Sequence, residues 1–289
     1  MQTLSPDTWR ERERLHQHRA DAFTAGRRAR VQTGEKHPVD DFLFTYYPYR
    51  PSLLRRWHPG AGVVLEGAAS DERASYKWYR REGDDLVVDS AGYVAAREAS
   101  IRFIVGLLSA TAARPGQFGC FGLHEWAMVY RAADDGAENP YRHDIPLRLG
   151  QRGTDEVVEA SRITCSHIDA FRFFTPEASP RNLLTPTREN QPLMEQPGCL
   201  HAGMDVYKWA IKLGPLIPGE LLLDSFELAR DIRELDMRAS PYDLADAGYS
   251  PVRIETPEGR ADYVRAQRAF AERSNALRAR VVDAVGSFI

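Results

Sequence analysis

A chain of 289 residues, 43% hydrophobic and 27% charged, is long enough to bury a substantial core. Its formal net charge of −3 excludes a generally basic, nucleic-acid-binding composition, and it contains no run of about eighteen apolar residues that would form a membrane-spanning helix. The opening "MQTLSPDTWRERERLHQHR" has no apolar signal core, and three cysteines cannot all pair within one chain, so a cytoplasmic protein with reduced thiols and no membrane partner is expected.

Residues 6–30, rich in arginine and glutamate, predict an exposed first helix with a narrow buried stripe at Trp9, Leu15, Ala22 and Phe23. Near its end, Arg27, Arg28 and Arg30 make a local positive excess, which is either a phosphate-facing surface or a solvated helix face. In the following "GEKHPVDDFLFTYYPYRPSLLRRWHPG", Pro38 suits the first position of a helix, with Asp40 and Asp41 favourable to its dipole. Aromatics such as Tyr46, Tyr47 and Trp57 at this density fill a core or line a pocket for a planar ring.

Short β-rich runs at about 62–89 predict a hairpin or meander. From Ser90, the expected N-cap, helical periodicity returns with Val94, Ile101, Ile104 and Leu108 on one stripe, and Pro115 lies beyond the end. Residues 131–163, including "ADDGAENP", and 175–198 read as loop-rich, the kind of segment that forms lids or binding walls. Two further helices are predicted: one from "PGELLL" with Leu222, Phe226, Ala229, Ile232 and Leu235 at helical intervals, and one from "TPEGRADYV" onward. With neither an internal repeat nor a low-complexity linker, the expected fold is a mainly α, single helical domain over 1–289 with a small β insertion.

Each of the three cysteines is followed closely by a histidine: Cys120 by His124, Cys165 by His167, Cys199 by His201. None of these spacings is that of a zinc finger, so a metal site requires three separate segments to converge. His124, His167 and His201 would then bind a divalent transition metal such as iron, manganese or zinc, leaving a position open for water or substrate. Glu125 or Asp205 would complete that shell or act as a base, and His201, Asp205 and Lys208 share one helix face. "HEWAMVY" is expected on a helix, with His124 toward the cavity, Glu125 at its rim and the cysteines packed behind the histidines. The competing reading is three core histidines, each hydrogen-bonded to a carbonyl. Among the charges of "RDIRELDMRASPYDL", Asp236 and Asp243 lie near the helix end, where they read as solvated surface or, for one of them, as a catalytic carboxylate facing the cavity.

Five segments, "GEKHPVDDFLFTYY", "GCFGLHEWAMVYR", "CSHIDAFRFFTP", "QPGCLHAGMDVYKWA" and "ELARDIRELDMRASPYDL", together resemble an actinobacterial family named 3-methyladenine DNA glycosylase. That resemblance implies excision of an alkylated purine from DNA without a cofactor. A cationic base of this kind needs an aromatic face, for which Tyr46, Tyr47, Trp57 and Trp126 are candidates, and a carboxylate, Glu125 or Asp205. His124 joins them as a candidate catalytic group, with DNA gripped by Arg27, Arg28 and Arg30. The alternative is a metal-dependent enzyme acting on a small molecule through the His/carboxylate cluster.

Overall fold

The computed structural model describes residues 1–132 and 145–289. The segment "ADDGAENP", expected to be a loop, lies outside the described residues. As expected, the protein is mainly α with a small sheet. In chain order the elements begin with β1 (Gln2–Leu4), α1 (Pro6–Thr33), α2 (Phe42–Tyr46), α3 (Pro51–Leu54), β2 (Val63–Leu65), β3 (Tyr79–Glu82) and β4 (Asp85–Val88). The long α4 (Ser90–Ala112) follows, then short α5 (Leu123–Ala127), α6 (Gly150–Glu159), α7 (Ile168–Phe171) and α8 (Gln191–Met194). The chain closes with α9 (Leu200–Leu213), α10 (Gly219–Arg238) and α11 (Pro257–Gly286). No described helix is long and apolar enough to cross a membrane.

The sheet has the order β1-β2-β4-β3. The meander pairs antiparallel, with Leu65 opposite Leu86 and Tyr79 opposite Val88, while β1 adds in parallel beside β2. That edge strand escapes a local reading because its partner lies some sixty positions along the chain, at Val63–Leu65.

On α1 the expected stripe holds in part: Trp9 is buried and Phe23 packs against the core, but Ala22 and Leu15 are exposed, Leu15 by 53%, and His16, Ala20 and Thr24 complete the buried face. Polar His16 can turn inward because its Nε2 meets the carbonyl of Leu54 at 2.9 Å. The expected helix at Pro38 begins later, at Phe42, because Asp41 is drawn into a turn that bonds His37 N at 2.9 Å. At α4 the cap is Asp89 rather than Ser90, its carboxylate accepting from Gly92 N at 3.1 Å.

The core is built around α9, which packs against α10, α11 and α4. From Leu200 through Tyr207 every residue of α9 is buried, the signature of a helix enclosed on all sides. Gly203 permits this closeness: a Cβ there would stand 2.8 Å from Ile232 Cδ1 on α10 and 2.8 Å from Ser274 Oγ on α11. Anything polar between Leu200 and Tyr207 must therefore find its partners inside the protein.

Candidate metal centre

Four separated stretches of chain deliver ionisable side chains to the inner half of α9. A tight turn, with Phe121 at φ 47° and Gly122 at φ 71°, redirects the backbone into α5 and presents His124 and Glu125. The loop before α7 presents His167, held by Asn182, whose side chain accepts from Cys165 N at 2.8 Å and donates to Cys165 O at 2.9 Å. Glu195 follows α8, His201 and Asp205 lie four apart on α9, and Arg233 and Asp236 lie three apart on α10. All eight side chains belong to residues no more than 5% exposed.

The first group is His124, Glu125, His201 and Asp236, with one donor atom from each lying within 4.8 Å of the others. His124 Nε2 is 2.8 Å from Asp236 Oδ1, and Arg233 Nη1 donates to Glu125 Oε1 at 2.9 Å and to Asp236 Oδ2 at 3.0 Å. The second group is His167, Glu195 and Asp205, again spanning no more than 4.8 Å. Here His167 Nε2 is 3.3 Å from Asp205 Oδ2 and 3.5 Å from Glu195 Oε1. The His201 ring joins the groups, its centroid 4.4 Å from that of His124 and 5.4 Å from that of His167.

A supporting layer holds the carboxylates in place. Tyr47 OH donates to Asp205 Oδ1 at 2.7 Å, and Lys208 Nζ contacts Asp205 Oδ2 and reaches Asp169 at 3.2 Å. Asp169 in turn takes the partly exposed Arg188 at 2.5 Å, while Gln191 Nε2 donates to Glu195 Oε1 at 2.6 Å. Burial alone would favour a protonated Asp205, but the Lys208 ammonium and the His167 hydrogen bond hold its carboxyl well below the usual range. The same opposition holds for Asp236, where burial is offset by the His124 hydrogen bond and the surrounding His124, His201 and Arg233, so its carboxyl is held below the usual range. Burial raises Glu195, and it drives His201 well below the usual imidazole value, so His201 is neutral.

His201 is thus a neutral imidazole grouped with two carboxylates, Glu125 and Asp236, and its Nδ1 has no hydrogen-bond partner among the described residues. His167 Nδ1 and Glu125 Oε2 are also buried without one among the described residues. Such atoms each cost about 1–3 kcal/mol if nothing meets them. An orphan Nδ1 alone does not mark the cluster, since buried His16 has one too; what sets His124, His167 and His201 apart is the carboxylates that meet them, where His16 Nε2 meets the Leu54 carbonyl.

The three histidines therefore converge, although His167 sits with Glu195 and Asp205 rather than in one shell with the other two. Glu125 belongs to the same group as His124, instead of only flanking it. Asp236, which the sequence leaves between solvated surface and a carboxylate facing the cavity, is fully buried in the first group. Its Arg233 partner and Glu195 give no sequence signal: a carboxylate in an Arg/Glu-rich helix or a Pro-rich loop looks solvated until the fold closes over it. The helix of "HEWAMVY" ends at Ala127, and Val129 and Tyr130 are buried beyond it. Cys165 Sγ contacts the His167 carbonyl at 3.7 Å, and Cys120 Sγ accepts from Gln267 at 3.3 Å. Burial pushes the Cys165 thiol up to about 12 and raises Cys120 and Cys199, which disfavours thiolate ligation.

Of the aromatic candidates, Tyr47 touches the cluster by a hydrogen bond to Asp205. Tyr46 stacks on Phe42 at 5.0 Å, Trp57 is fully buried beneath Arg12 and Arg73, and fully buried Trp126 donates to Ala239 O at 2.9 Å. The arginines pair internally: Arg27 and Arg30 converge on Asp41 at 3.1 and 2.6 Å, and Arg28 meets Asp21 at 2.7 Å. The chain matches no protein-family model, no curated protein and no solved structure.

Proposed function

We propose that this protein is a metal-dependent enzyme whose buried centre holds divalent iron, manganese or zinc and acts on a small molecule. The observation that carries this reading is His201: buried, held well below the usual imidazole value by that burial, without a partner at Nδ1 among the described residues, and grouped with His124, Glu125 and Asp236. Mixed imidazole and carboxylate donors suit these three metals. His124, His201 and Asp236 would bind the ion, with Glu125 completing the set or serving as a base, and Arg233 orienting both carboxylates. Such an ion supplies Lewis acidity or, if iron or manganese, electrons.

Around it the chain handles protons and excludes water. Lys208, Asp205 and Tyr47 form a hydrogen-bonded series beside the centre, and Asp169 links that series to Arg188 at the surface. Base excision, implied by the family resemblance, has less support: Trp57 and Trp126 are fully buried and Arg27, Arg28 and Arg30 are paired within the chain. Elemental analysis of protein purified without chelator tests the choice. Stoichiometric metal that disappears in a folded His124→Ala variant supports the metal enzyme; metal-free protein that releases 3-methyladenine from methylated duplex DNA supports base excision.

A further inference from the structure

We infer that the centre is built for two ions, the second held by His167, Glu195 and Asp205. This inference rests on the metal reading just given, and adds to it a site separate from the His124, His201 and Asp236 set. The separations around His167 Nε2, 3.3 Å to Asp205 and 3.5 Å to Glu195, are long for charge-assisted hydrogen bonds, which run at about 2.7–2.9 Å. They match the edge of a tetrahedral shell, since bonds of about 2.1 Å to one ion set neighbouring ligands about 3.4 Å apart. By contrast, His124 and Asp236 stand at ordinary hydrogen-bond distance, 2.8 Å. One ion cannot serve all seven groups. The His167 ring is stacked against His201 at 5.4 Å, which places the two donor sets side by side.

The positive charge now beside Asp205 is compatible with this assignment. Lys208 bridges Asp205 and Asp169, so it keeps a carboxylate partner in Asp169 at 3.2 Å when an ion takes Asp205. Glu195 is likewise steadied from outside the shell by Gln191. His167 is completely buried and its Nδ1 has no partner, so no hydrogen bond at that atom ties its ring to the protein. Paired ions about 3.5–4 Å apart clamp two oxygen atoms of a substrate at once. The substrate class that follows is a small oxygen-rich molecule, a carboxylate, a phosphate ester or dioxygen, able to bridge two ions.

Titration of metal-depleted whole protein with Mn2+, read by bound metal per chain and by electron paramagnetic resonance, tests this. The expected result is two ions per chain with a spin-coupled spectrum, falling to about one ion with an isolated-ion spectrum in Glu195→Gln. His167→Gln is the second variant, and circular dichroism verifies that each remains folded. One ion per chain in the wild type, unchanged by Glu195→Gln and lost in His124→Ala, would overturn the second site while leaving the metal enzyme standing. No bound ion at all would overturn both. Two ions retained in folded Glu195→Gln and His167→Gln would overturn the placement.

Discussion

The His201 ring stands edge-on to that of His124, with centroids 4.4 Å apart and planes at 76°, so the two imidazoles aim at a common region without stacking. Together with Asp236 and Glu125 they form a donor set delivered by α5, α9 and α10. If the set holds an ion as proposed, loss of either ring is expected to lower metal content before it affects the fold.

Chelation followed by thermal melting gives the first prediction. An ion bound only by the folded state and present at about one hundred times its Kd stabilises by ~2.7 kcal/mol, so the depleted protein melts at lower temperature and recovers on adding metal. His201→Ala should lose both the bound metal and the response to chelator, while retaining a helical circular dichroism spectrum.

Arg73 offers a control far from the centre in its contacts. Its guanidinium, 1% exposed as a residue, meets Glu13, holds Asp71 at 2.6 Å and lies over the rings of Trp9 and Trp57. Arg73→Met removes the charge that both partly buried carboxylates face, and a loss of about 3 kcal/mol is expected in urea unfolding. Metal content per folded chain should stay at the wild-type value.

Acid sensitivity is expected from His58, whose Nδ1 lies 2.8 Å from Tyr79 OH. Burial, reinforced by the charges of Arg56 and Arg73, lowers its pKa from 6.5 to about 3. Because the folded value is depressed, the neutral ring's contribution is complete above about 6.5 and is lost as pH falls toward 3. Unfolding free energy should fall by up to about 1.4 kcal/mol per pH unit in this window from His58 alone. His58→Phe should flatten that part of the profile; an unchanged slope would assign the acid loss to other groups.

Gly203→Ala should test the packing of α9. The added methyl would press on Ile232 and Ser274, each 2.8 Å from its position, at a cost of about 1–3 kcal/mol, against a gain of about 1 kcal/mol in helix propensity. A net destabilisation with a lowered melting temperature is expected. Increased stability would show that Ile232 and Ser274 yield freely.

How much of this was legible beforehand follows from the range of the interactions. Periodicity within one segment was enough for α10, where Leu222, Phe226, Ala229, Ile232 and Leu235 are all buried, and for α11, which begins after the Thr256 cap. The repeated Cys-then-His spacing likewise pointed to histidines that do meet. Glu195 was opaque and Asp236 could not be told from solvated surface, because a carboxylate's burial depends on partners such as Gln191 and His124, and Asp236 and His124 lie 112 positions apart. Leu15 misled for the opposite reason: an apolar residue marks a buried face only when a neighbour covers it, and on α1 His16 takes that place.

X-ray absorption at the metal edge, on protein purified without chelator, tests the central claim most directly. The account predicts a shell of nitrogen and oxygen donors at about 2.0–2.2 Å with the outer scattering of imidazole. Protein with no metal edge, or a shell dominated by sulfur at about 2.3 Å, would contradict it.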